Sequence, residues 1–155
     1  MAFRISALPF EAFASFFSMT DEELAAHGAM RRAVDAKPGF PCRVSLADAE
    51  VGETVLLVNY EHQPAATPYR ASHAIFVREG AKQANPLLDE VPEVLRGRLL
   101  SARAFDAAGM MVEAEVVDGS EVVPVIQHLL GDAKVAYLHL HNAKPGCYAA
   151  RVDRA

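Results

Sequence analysis

A chain of 155 residues is long enough for one domain and buries most of its apolar surface without disulfides or metal. Hydrophobic residues make up 52% and charged residues 23%, a mixture that excludes a disordered chain. The net charge of -5, with Lys and Arg scattered along the chain, excludes a basic footprint for nucleic acid, and no apolar run approaches the ~20 residues of a membrane-spanning helix.

Phe3 to Leu8 reads as a first strand, and Pro9 opens a helix through Glu11 to Phe17. Pro9 and Glu11 also break the apolar stretch Ala2 to Met19, which therefore does not read as a signal peptide. Thr20 with Glu23 is a capping-box pattern that starts a second helix running to about Ala26, with Gly28 as its stop. Met30 to Ala36 reads as a strand ended by Lys37-Pro38-Gly39-Phe40-Pro41, and Cys42 and Arg43 follow on that stiff loop. Glu53 to Tyr60 is a buried strand, Glu61 to Ser72 a polar loop, and His73 to Val77 another strand. Pro92 to Leu95 is a short helix.

Leu99 to Phe105 and Met111 to Val117 flank the turn Asp106-Ala107-Ala108-Gly109 as a hairpin. A helix from about Val122 to Leu130 begins after Ser120, which lacks the reciprocal half of a capping box, and stops at Gly131. Val135 to His141 is the clearest strand, and Cys147 to Asp153 is its hairpin partner across Asn142 to Gly146. With no repeat or linker, residues 1–155 read as a single compact α+β domain: mostly antiparallel sheet, about three helices and a C-terminal β-hairpin.

The polar chemistry concentrates in that hairpin. Alternation puts Tyr137, His139 and His141 on one face, the two imidazoles about 7 Å apart along the strand. Symmetric closure of the loop sets His141 opposite Cys147, His139 opposite Ala149 and Tyr137 opposite Arg151, and a slip of one residue reverses the faces. The plainer reading of His139 and His141 is strand packing. A zinc site built on them, with Cys147 and a distant Cys42, is the metal alternative, but no metal is assigned because the spacing lacks the usual paired ligands.

A thiol beside an imidazole or guanidinium is also a candidate nucleophile, which marks Cys42, Cys147 and His141 as catalytic candidates. Free cysteine is more often a small buried hydrophobe. Arginines Arg43, Arg70, Arg78 and Arg151 offer guanidinium forks to a carboxylate or phosphate, Tyr69 a ring to stack on and His73 a donor. His62 reads as loop-edge polarity that could equally face a pocket, while His27 and His128 look structural. No Gly-rich phosphate loop, His-Glu-x-x-His helix, Gly-x-Ser-x-Gly elbow or Cys-x-x-Cys pair is present.

Three motifs stand in order along the chain. They are Pro38-Gly39-Phe40-Pro41-Cys42-Arg43-Val44-Ser45-Leu46, then Pro68-Tyr69-Arg70 with Ala74-Ile75-Phe76-Val77, then His139-Leu140-His141-Asn142-Ala143 with Gly146-Cys147-Tyr148. Together they resemble a bacterial family, domain of unknown function 1203. The resemblance implies a small stand-alone bacterial domain and supplies no catalytic residues.

The first functional expectation is therefore a domain that binds a small anionic ligand in a pocket lined by His, Cys and Arg. Its candidate binding residues are Arg43, Tyr69, Arg70, His73, His139, Asn142 and Arg151. An enzyme using a Cys and His pair is the alternative, and no cofactor is specified. Two cysteines without an export signal imply reduced thiols in a cytoplasm, and an unpaired edge strand leaves a homodimer open.

Overall fold

A computed structural model describes residues 1–155 as two antiparallel sheets with three helices. The strands are β1 (Phe3–Ser6), β2 (Ala29–Ala33), β3 (Thr54–Gln63), β4 (Ala71–Arg78), β5 (Leu99–Phe105), β6 (Met111–Asp118), β7 (Tyr137–Asn142) and β8 (Tyr148–Arg154). The helices are α1 (Asp21–Ala26), α2 (Glu93–Arg96) and α3 (Val122–Gly131). The five-stranded sheet has the order β1-β8-β7-β5-β6, and the three-stranded sheet the order β2-β3-β4. No helix is long and apolar enough to cross a membrane.

Alternation along β7 sets the two faces of the larger sheet. Leu138 and Leu140 pair with Ala104 and Ala102 of β5 and with Val152 and Ala150 of β8. The small alanines admit α3, whose buried Val122, Ile126, Leu129 and Leu130 repeat at helical spacing on one side. The opposite face carries Tyr137, His139 and His141, flanked by Arg103, Ser101, Tyr148 and Arg151. A face with that chemistry cannot pack on an apolar helix. It meets the smaller sheet instead: the ends of β3 and β4 lie against β7 and β8, and Gln63 donates to the Tyr137 hydroxyl at 2.8 Å.

The α1 capping box forms as its sequence indicates, with the Thr20 hydroxyl accepting from the Glu23 amide at 3.2 Å. The expected helix over Glu11 to Phe17 is instead two 3-10 turns, Phe10–Ala12 and Ala14–Ser18. A repeat of three residues brings Phe10, Phe13 and Phe16 to one side, where Phe13 is buried and its neighbours pack on the small-sheet core. The expected cap at Ser120 is replaced by Asp118, whose carboxylate accepts from the Ser120 amide, and α3 starts without a side-chain cap.

Two differences bear on the site. Strand β3 runs on to Gln63, so His62 lies inside a strand and not in the loop expected from Glu61. The C-terminal hairpin closes in another register than symmetric closure gives. His139 pairs with Arg151 and His141 with Tyr148, leaving Ala149 as an extra residue in a bulge. The turn is tightened by Gly146, at φ 80°, whose amide bonds the Asn142 carbonyl, while the Asn142 amide bonds the Cys147 carbonyl. Cys147 thus sits opposite Asn142, on the other side of the ribbon from His141.

Candidate binding cleft and histidine cluster

Six polar or charged residues are buried: Arg43, His62, Gln63, His139, His141 and Asn142. All lie where the two sheets meet; Gln63 bonds Tyr137, and the other five divide into two neighbouring groups.

The first group surrounds a cleft of about 520 Å³, within the range that holds small organic ligands. Arg43 is fixed at its base by the backbone. Its amide donates to the Phe76 carbonyl on β4 at 3.1 Å, and its carbonyl accepts from Leu8 at 3.0 Å. Its side chain, only 2% exposed, donates from Nε to the Tyr148 carbonyl at 2.7 Å, from Nη1 to the Pro41 carbonyl and from Nη2 to Cys147 Sγ at 2.9 Å. No carboxylate pairs with it. Burial pushes the guanidinium below its ordinary pKa, with the nearby thiols opposing that shift.

The rest of the lining includes His73, Arg98, Asn142 and Lys144 among the apolar surfaces of Leu57, Phe76, Leu99, Pro41 and Pro145. No Asp or Glu lines the cleft. Arg98 is paired with Asp48 at 2.7 Å, whereas the exposed Lys144 has no acidic partner. Asn142 is buried, its Nδ2 3.7 Å from Cys147 Sγ and its Oδ1 without a partner.

The second group is His62, His139 and His141. One ring nitrogen from each lies within 4.8 Å of the others. Tyr148 stacks parallel to His62 at 5.3 Å between centroids and meets His139 and His141 edge-on. Burial, reinforced by neighbouring His73 and Arg103, lowers the pKa of His62 to about 4. Burial first, then neighbouring histidine and arginine charges, lowers His139 and His141 to about 3, although a hydrogen bond from the His141 ring to the Gly146 carbonyl partly opposes the shift at His141. All three rings are therefore neutral at pH 7.

A family model described as "Protein of unknown function (DUF1203)" matches residues 39–154. The chain belongs to that family. No curated protein and no solved structure matches it. The matched span of the DUF1203 chain contains every residue of the cleft and of the histidine cluster.

Of the residues singled out from sequence, Arg43, His73, Asn142 and Cys147 come together in the DUF1203 cleft. His139 and His141 belong to the histidine cluster, where the third member is His62 and neither thiol takes part. Cys42, 1% exposed, packs in the small-sheet core, its sulfur accepting from the Ser45 and Arg78 amides. Arg70 pairs with Glu61 on the surface, Arg78 with Glu53, and Arg151 with Asp153 over the Tyr137 ring. Tyr69 is 39% exposed and leans edge-on against Phe105. The sequence reading missed Arg98 and Lys144. Lys144 had a signal, since it stands in the loop that presents Cys147; Arg98 had none nearby.

Proposed function

We propose that this DUF1203 chain binds a small organic anion, an acidic head group on an apolar body, in the cleft between its sheets. The observation that carries this is the charge pattern: Arg43 and Lys144, neither with a carboxylate partner, line the cleft beside an Arg98 already paired with Asp48, in a protein of net charge -5. A buried cation with no carboxylate partner is costly unless a ligand completes its pairing. The free guanidinium hydrogens of Arg43, the Lys144 ammonium and His73 are suited to the head group, and Leu57, Phe76 and Leu99 to the body. The unpaired Oδ1 of Asn142 is an acceptor for a ligand hydroxyl or amine.

An enzyme working through a Cys and His pair has less behind it. The Cys147 sulfur takes hydrogen bonds from Arg43 and Asn142 and from no imidazole. Two free cysteines suit a reducing compartment, so the setting we propose is a bacterial cytoplasm.

Thermal unfolding in the presence of phenyl phosphate, benzoate and neutral benzamide tests the reading. The two anions should raise the midpoint saturably and benzamide should not. Lys144→Ala should weaken the anion effect by a factor of about 2–5 while leaving the unliganded midpoint in place, as befits an exposed charge. Equal shifts from benzamide, or no saturable shift from either anion, would overturn it.

A further inference from the structure

The anion cleft gives no task to His62, His139 and His141. We propose that these three side chains form a binding site for a divalent transition metal of the zinc class. The site goes beyond the anion reading and stands or falls independently of it.

Convergence is the first argument. His62 comes from β3 of the smaller sheet and His139 and His141 from β7 of the larger, yet a nitrogen from each falls within 4.8 Å of the other two. Such an arrangement needs only a small inward adjustment to meet metal–nitrogen bonds of about 2.0–2.1 Å. Three protein nitrogens are also the ligand count of zinc sites that take their fourth ligand from outside the chain.

The second argument is unsatisfied polarity. His62 Nδ1, His139 Nδ1 and His141 Nε2 are buried without a hydrogen-bond partner, in residues 9%, 3% and 1% exposed. Three imidazoles packed only as hydrocarbon would leave those nitrogens desolvated and unpaired. His141 is also oriented for ligation. Its Nδ1 lies 2.9 Å from the Gly146 carbonyl, which can only accept, so the proton sits on Nδ1 and Nε2 presents its lone pair. A ligating histidine commonly has its far nitrogen held by a carbonyl in this way.

The donor set selects the ion. Imidazole nitrogens suit zinc, cobalt, nickel and copper, whereas magnesium and calcium require oxygens. Three neutral ligands leave the ion's double charge uncompensated. Arg103 and Arg151 flank His139 from the adjoining strands, and Arg103 has no acidic partner, so the fourth ligand should be an anion such as hydroxide.

The test uses the full chain, freed of metal by chelator dialysis and titrated with Co(II) and Zn(II). One ion per chain should bind, with the visible absorption of a low-coordinate Co(II) site. His62→Gln and His141→Gln should each weaken binding more than about 100-fold, beyond the loss from an outer-sphere change. His128→Gln, at an exposed cluster with Glu113 and Glu115, should bind as the parent does. Should the histidine variants fail to fold, the parent chain decides alone: Co(II) should shift the imidazole NMR signals of His62, His139 and His141. Absence of stoichiometric binding to the parent, imidazole signals unmoved by Co(II), or binding lost with His128→Gln and kept with His62→Gln would overturn the proposal.

Discussion

Replacing Arg43 with methionine is expected to lower the unfolding free energy by about 2–4 kcal/mol and to remove the stabilisation that phenyl phosphate gives the folded chain. Two effects compete. Methionine releases the desolvation penalty of a buried cation, several kcal/mol in general terms. It also strips donors from the Tyr148 and Pro41 carbonyls and from the Cys147 sulfur, each charge-assisted bond contributing about 1.5–3 kcal/mol. Three such bonds, with two carbonyls left unpaired, outweigh the released penalty. Arg43→Lys should recover part of the anion response but little of the stability, because one ammonium cannot serve three acceptors spread around a planar fork. Denaturant unfolding with and without phenyl phosphate reads both effects. A methionine variant as stable as the parent and equally responsive to the anion contradicts the role given to Arg43.

Acid should unfold the metal-free protein unusually early. In the unfolded chain each histidine titrates near 6.5, whereas in the fold His62 titrates near 4 and His139 and His141 near 3. The folded state therefore binds fewer protons than the unfolded state between those values. Stability contributed by the neutral rings is intact above about pH 6.5 and is lost as pH falls through the folded values. At pH 5 the loss is on the order of 2 kcal/mol per ring if the rings act independently. Between pH 6.5 and 5, before the lowered Glu53 and Asp118 carboxyls contribute much, the slope should rise from about one and a half protons to nearly three. His139→Phe should reduce it by about one. Unfolding free energies measured across that window decide the matter, and a flat profile contradicts the burial assigned to the cluster.

Much of the fold is legible in the sequence because its signals are local. The Thr20 and Glu23 pair, the alternation from Tyr137 to His141 and the apolar spacing of α3 each act within one element. What escaped depends on contacts distant in sequence. Glu61, His62 and Gln63 look like a loop because they are polar, and only packing against β7 and β8 makes that polarity compatible with a strand. The hairpin register turned on one bulge residue, Ala149, and that displaced Cys147 from His141 to Arg43.

The cleft was harder still to foresee. Its wall is assembled from the Gly39 to Arg43 loop, β3, β4, the residues that lead from α2 into β5 and the last hairpin turn, five segments that meet only in the folded chain. The sequence marked Arg43, His73, Asn142 and Cys147 by residue chemistry, but it could not separate them from Arg70 and Arg151, which have carboxylates of their own.

The most direct measurement is a phenyl phosphate titration of the isotope-labelled chain followed by amide NMR. Binding in the cleft predicts saturable shifts confined to Gly39 to Arg43, Leu57, the His73 to Phe76 segment, Gly97 to Leu99 and Asn142 to Cys147. Shifts that fail to saturate, or that map to Arg70 and Arg151 while Arg43 stays still, would contradict it.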